Sequence, residues 1–382
     1  MKGEEFSYLG TDFLMECKEH INRVAGPGSR NYIIRGIISH DEEIFFPESI
    51  DGDPVTSFLP SNSYTEKTVY PGVRKLRLPA RLGRFIERND VFPDLEKLEI
   101  NRENRIFTTD GRMLYRDGGK ELCLSLSAGL NDESVTVPEK VERLGPAAFT
   151  GSRCREIVFE NPNIDACDTS FDGSEWLLRQ GNTVYVGNML YKLMAGDRGR
   201  ITVLIKEGTE RIHADAFAAF KSEMYLKVCI PCGVRINGLA DALIAALKKG
   251  RGFISVSKEG GKREFSVPLS LDPHGMEFLR RTVDLGEELY EEIFPGISSG
   301  REKLDYALFA LSEEAVEDEE SYRQVLLKDE EKAAGRSVEI LGEERLCRLI
   351  KKDCIGKEAF LKELPVLQTK GMISAAAGVL MM

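Results

Sequence analysis

Histidine and tryptophan are scarce: the 382 residues include four His and one Trp. The histidines, His20, His40, His213 and His274, are dispersed, so no close pair of the kind a zinc site uses is present. No G-x-x-x-x-G-K-[ST] or G-x-G-x-x-G phosphate loop occurs. The Gly-Gly-Lys runs at Gly118 and Gly260 lack the following Ser or Thr. Positive charge is in deficit: 52 Lys and Arg face 63 Asp and Glu, a net charge of -11. That argues against nucleic acid and against an anionic membrane surface as partners. No apolar run reaches the roughly 18 to 20 residues of a membrane span, so no membrane insertion is expected. The opening MKGEEFSYLGTDFL has no apolar leader core. A cytoplasmic location is therefore expected, or a surface or secreted one if a leader has been removed. The eight cysteines are scattered and read as reduced thiols, not a disulfide framework.

What is present is a repeat. VPEKVERLGPAAF (Val137 to Phe149) and IKEGTERIHADAF (Ile205 to Phe217) hold apolar residues in the same slots: Val137/Ile205, Leu144/Ile212, Ala148/Ala216 and Phe149/Phe217. Only the Val141 slot differs, with Thr209 in the second copy. A unit this small buries its apolar side only by stacking on a neighbour, which predicts a solenoid. Short strands of the form L-x-x-L-x-L follow the same logic: Leu95 to Ile100, Cys154 to Phe159 and Tyr225 to Ile230. Stacked, they would pair in parallel as one long sheet, with Phe149 and Phe217 as inward structural anchors.

Before the repeats, Thr11 or Asp12 is placed to cap a helix with Phe13, Leu14, Cys17, Ile21 and Val24 on one face, ended by Gly26-Pro27-Gly28. Residues 1–30 are expected to form a helical end cap. After Asn237-Gly238 the pattern changes to a short helix over Leu239 to Leu247. A hairpin follows across Gly260-Gly261, then a helix opened by Asp272-Pro273 and running toward Phe294. Residues 238–300 read as a mixed junction. From Arg301 the chain is helical, in short runs punctuated by Gly335, Gly342, Gly356, Pro365 and Gly371, which predicts a helical repeat over 301–382. The run Glu313 to Glu320 (EEAVEDEE) is expected to be a solvated loop and helix start.

Residues 31–237 resemble the BspA-type bacterial leucine-rich repeat family. The resemblance rests on the unit opening at Ile44 (I-x-F-P-x-x-I-D-G-x-P-V-T-S), on Val137 to Phe149, and on the strands above. Phe107 to Leu122 is similar to the hairpin often inserted between repeats of that family, and Asn182 to Leu193 to a second copy. The C-terminal helices are similar to ankyrin-like arrays. The resemblance implies an α+β chain: a leucine-rich repeat β-solenoid with a parallel sheet and inserted hairpins, followed by an α-helical repeat domain. Members of the family are often surface adhesins, which is the alternative reading of this chain.

Candidate chemistry is thin. Cys229-Ile-Pro-Cys232 is a CxxC, but it ends a repeat strand instead of opening a helix, and no second ligand pair stands near it. A thiol redox or metal role for Cys229 and Cys232 is the least favoured reading. His213 with Asp215 occupies the slot that the sister copy fills with the turn Gly145-Pro146-Ala147, so a turn is expected. Cys347 and Cys354 are expected to be core. The remaining feature is surface. The residue between the last two apolar slots of each strand should point outward: Arg77, Glu99, Val158 and Cys229, with Arg155 and Glu156 beside them. Tyr115, Tyr185 and Tyr191 on the hairpins are either protruding contacts or packing. The expected function is protein–protein interaction, with no catalysis, cofactor or metal.

Overall fold

The computed structural model describes residues 4–22, 26–60, 69–86, 88, 90–126, 133–194, 199–221, 224–250, 252–259, 263–313 and 319–382, with the backbone alone for 19–22 and 26–29. The chain divides into two compact units, Met1–Gly187 and Asn188–Met382.

The first unit begins with β1 (Glu4–Tyr8), β2 (Thr11–Asn22) and β3 (Gly26–Ser39). This corrects the expected helical cap. The apolar residues of the segment fit a helical face, but Thr11, Phe13 and Met15 are buried in alternation, the period of a strand. Leu9 and Gly10 both take positive φ, 45° and 80°, forming the two-residue turn that pairs Tyr8 with Thr11. Hydrogen bonding on both edges, to β1 and β3, holds β2 extended. β4 (Glu43–Phe45), β5 (Ser49–Ile50) and β6 (Asp53–Phe58) follow. β6 joins β3 in parallel and carries β5 on its other edge, giving the order β1-β2-β3-β6-β5. β7 (Lys75–Leu78) pairs in parallel with β4, and β8 (Lys97–Ile100) with β7, aligning Ile44, Leu76 and Leu98 inward.

β9 (Phe107–Thr109), β10 (Met113–Arg116) and β11 (Glu121–Ser125) form the inserted antiparallel meander. β12 (Ser134–Val137), β13 (Arg143–Leu144), β14 (Glu156–Phe159) and β15 (Asp165–Ala166) then alternate between two parallel ladders, β12 with β14 and β11-β13-β15. The unit closes with α1 (Glu175–Leu178), capped by the Ser174 hydroxyl, and β16 (Thr183–Val186). The ladders thus fall into separate short sheets in place of one long one, and the first break lies where the meander is inserted.

Packing follows the rungs. Phe149 is buried, and its ring stacks on Phe171 at 5.5 Å with the planes 6° apart. Its N–H donates to the carbonyl of Ser170. Ile164 to Phe171 is therefore a further copy of the turn segment, with Leu144 aligned to Ala166. Nearer the start, Phe46, Phe58, Tyr70, Phe85 and Phe92 form one aromatic cluster with centroids 5.1 to 6.5 Å apart. Two asparagines bond carbonyls nearby. Asn104 donates to the carbonyls of Pro79 and Leu82, and Asn161 to that of Val141.

The second unit opens with β17 (Met189–Leu193), β18 (Gly199–Leu204), β19 (Arg211–Ile212) and β20 (Met224–Ile230). β17 pairs in parallel with β19, and β18 with β20. Phe217 is 1% exposed. Thr209, in the slot where Val141 stands in the sister copy, is buried and donates its hydroxyl to the Lys206 carbonyl at 2.6 Å. After α2 (Leu239–Gly250) comes β21 (Phe253–Lys258), which pairs in parallel with β20. The ladder therefore continues past Asn237, where the sequence pattern changes. β22 (Glu264–Ser266) returns antiparallel on β21; the expected turn at Gly260-Gly261 lies outside the described residues. Between α2 and β21, Gly252 fits where a Cβ would stand 2.7 Å from the Lys221 carbonyl oxygen and 2.8 Å from that of Met224.

α3 (Pro273–Asp284) is capped by Asp272 and stops at Asp284, well short of Phe294. α4 (Tyr290–Ile293) follows. The remaining helices are α5 (Gly300–Leu311), α6 (Glu319–Leu326), α7 (Glu330–Ile340), α8 (Glu343–Lys351), α9 (Lys357–Thr369) and α10 (Ile373–Met381). They pack on one another, α5 on α7, α7 on α9 and α8 on α10. Replacing either buried ring, Phe149→Ala or Phe217→Ala, should cost about 3–5 kcal/mol. Urea unfolding followed by circular dichroism checks this; a cost like that of a surface substitution would mean the ring is not part of the core.

Candidate binding surfaces

In the first unit the outward side chains of β4, β7 and β8 form two rows, Glu43-Lys75-Lys97 and Phe45-Arg77-Glu99. Lys75 lies 3.4 Å from both Glu43 and Glu99, and Lys97 lies 2.9 Å from Glu99. The hydrogen bond from Lys97 holds the Glu99 carboxyl below its ordinary range, with Lys75 adding to it against the cost of desolvation. Solvent screens exposed pairs of this kind, so they pattern the surface more than they stabilise it. Arg77 is exposed, and its guanidinium has no partner among the described residues. On β12 and β14 the outward residues Ser134, Thr136, Glu156 and Val158 are exposed, Val158 to 42%. Arg155 beside them bridges Glu133 at 3.2 Å and Glu175 at 3.3 Å.

The equivalent face of the second unit is covered in part by its own helices, at Tyr225 and Phe253, while Leu204 on the row of Cys229 is 68% exposed. Cys229, aligned with Leu204 and Ser257, is half-buried and accepts from the Ser257 hydroxyl at 3.3 Å. Tyr225 stacks on Phe253 at 5.0 Å, and Phe253 on Phe309 of α5 at 5.7 Å. The guanidiniums of Arg336 (α7) and Arg345 (α8) sit over Phe253 and Phe309. Glu264, 3% exposed, accepts from Lys227 at 2.7 Å and from Ser255 at 2.6 Å, and lies 3.3 Å from Arg345. Glu313 accepts the Glu264 N–H at 3.0 Å and pairs with Arg345. The expected solvated run thus begins with a buried carboxylate, because a half-buried arginine and an edge-strand N–H both need an acceptor there. Residues 314–318 of that run lie outside the described residues.

The other candidates resolve into structure. His213 accepts the Asp215 N–H at its Nδ1, 3.2 Å away, while Lys249 binds the Asp215 carboxylate at 2.7 Å and holds it below its ordinary range. This is a turn, and the imidazole is not aimed at the carboxylate. All eight cysteines are free thiols; Cys232 is exposed, Cys347 is half-buried and Cys354 is buried. No cluster of His, Cys, Asp or Glu suited to a metal occurs among the described residues. Tyr115 and Tyr191 are buried packing, with the Tyr115 hydroxyl on Asp110 at 2.8 Å; Tyr185 is half-buried. No described helix is long and apolar enough to cross a membrane.

Burial pushes the Glu264 carboxyl up, but Lys227, Ser255 and Arg345 together pull it below its ordinary value. Its stabilising contribution is therefore fully present above the ordinary carboxylate range and drains away as pH falls through the folded-state value. Glu264→Gln should cost about 3 kcal/mol at neutral pH, since it leaves two cations short of an acceptor. It should also flatten the acid limb of stability against pH. Urea midpoints of both chains between neutral and acid pH test this, and parallel curves would disprove it.

No family model matches the chain, and no curated protein matches it. Among solved structures it is similar to a leucine-rich repeat protein from Eubacterium ventriosum, at 13% identity over 56% of this chain and 54% of that one, with a TM-score of 0.29. It is also similar to the pneumococcal vaccine antigen PcpA, at 14% identity over 57% of this chain and 68% of that one, with a TM-score of 0.28. The match thus spans about half the length of the first of these proteins. Neither likeness is close enough to bear on function.

Proposed function

We propose that this chain is a non-catalytic protein-interaction scaffold, and that the outer rows of the first unit are its main contact surface. One contrast carries the reading. The outward rows through Arg77 and Val158 face solvent, whereas in the second unit the row through Tyr225 and Phe253 packs against α5 and α7. Extended ladder faces are the surfaces that solenoids use for binding. On this reading the β-ladders are repeats of the BspA type and α5 to α10 are ankyrin-like pairs. The 22-residue offset of Leu76 from Leu98 and of Leu144 from Ala166 favours the first, and the stacking of α7 on α9 and α8 on α10 the second. The α-helical region provides a second contact surface.

The test is affinity capture from source-cell lysate with the full chain and with the double variant Arg77→Glu, Val158→Glu. A specific protein captured by the wild type should fall about tenfold in yield with the variant, at an unchanged unfolding midpoint. Equal capture would place the surface elsewhere. Recovery of a glycan or small molecule in place of any protein would end the interaction reading.

A further inference from the structure

The charge of the chain is unevenly spread. Residues 71–120 hold twelve Lys or Arg against eight Asp or Glu, within a chain of net charge -11. In the first unit this basic stretch borders an open groove of about 820 Å³. One wall carries Arg84, Ile86 and Arg88, and the other carries Pro146 and Asp172, with Arg116 also lining the groove. Among the described lining residues, three guanidiniums thus face a single carboxylate. Arg88 is paired with Asp90, and Arg116 lies 3.9 Å from Glu121. The exposed Arg84 guanidinium has no partner among the described residues.

Both walls are fixed by backbone. The Arg84 carbonyl accepts the Phe58 N–H at 2.9 Å, and Gly83 donates to the Thr56 carbonyl at 2.8 Å. Opposite, Thr169 donates its hydroxyl to the Pro146 carbonyl at 2.7 Å, and Gly151 its N–H to the Asp172 carbonyl at 2.9 Å. The groove is therefore preformed, which lowers the ordering cost of binding.

We propose that this groove binds an acidic segment of a partner protein, with one apolar side chain seated between Ile86 and Pro146 and a carboxylate on Arg84. The proposal rests on the interaction reading above and specifies the chemistry of the partner. Charge complementarity selects an anion, and the apolar contacts select a peptide over a nucleic acid. The chain's net negative charge opposes a polyanion, and the groove offers bases no exposed aromatic to stack on among its described lining.

Fluorescence anisotropy with the full chain tests this, using a labelled Glu-rich peptide carrying one Leu, its Gln-for-Glu counterpart, and a labelled oligo(dT). The acidic peptide should bind, weaken with rising salt, and lose about tenfold in affinity in Arg84→Glu. The Arg84 side chain is exposed and its ladder bonds are backbone, so this variant should fold; Pro146→Glu, on the other wall, is the second variant and should weaken binding as well. No binding of the acidic peptide, equal binding by both variants, or equal binding of the Gln peptide or the oligonucleotide would overturn the groove assignment. A partner captured through Arg77 and Val158 but indifferent to Arg84→Glu would also overturn it, while leaving the interaction reading intact.

Discussion

A single rung of these ladders has no interior of its own. Each is about one side chain deep, so its apolar residues become a core only when the next rung lies on top. The stack of Phe149 on Phe171, and the cluster of Phe46, Phe58, Tyr70, Phe85 and Phe92, are that requirement in atomic form. The same requirement governs the polar residues. Thr209, Asn104 and Asn161 are tolerated inside because each bonds a carbonyl within reach, and an unmet hydroxyl or amide there would cost roughly 1–3 kcal/mol.

Stacking also explains what could be read in advance. The slots around Phe149 and Phe217 were legible because the same apolar residues recur at the same offsets. The copy ending at Phe171 was not, since Cys167, Asp168, Thr169 and Ser170 replace its small and apolar neighbours; the ring alone kept the register. The strand at Thr11–Asn22 looked helical because its apolar residues satisfy both periods. Its identity is set by β3, a partner chosen by tertiary structure, although Leu9-Gly10 carried a local hint. Glu264, Glu313 and Arg345 form one cluster from three distant stretches, and no local signal marks a carboxylate for burial. The groove beside Arg84 is likewise invisible in sequence, since its walls come from separate repeats.

The two units use the same ladder to different ends. In the second, an aromatic stack and two guanidiniums lock helices onto the sheet, and Tyr225, half-buried beside Glu264, has its hydroxyl pushed above the usual phenol range by desolvation. In the first, the outward rows hold charged pairs at the surface with Arg77 and Val158 between them. Part of one ladder face has become internal packing, and the other remains surface.

The hairpin of β2 and β3 has a consequence for solubility. A stack of rungs can in principle grow without limit, since its terminal layer offers the same apolar footing as every layer inside. Here Phe13 packs edge-on against Phe46 at 5.7 Å, and Met15 and Ile34 join it in the core, so that footing is roofed over. The outermost strand of the roof, β1, carries exposed Glu4 and Glu5, and β4 beneath is only three residues long. Charged and short edges are poor templates for strand addition, so this end of the stack resists head-to-tail fibre growth.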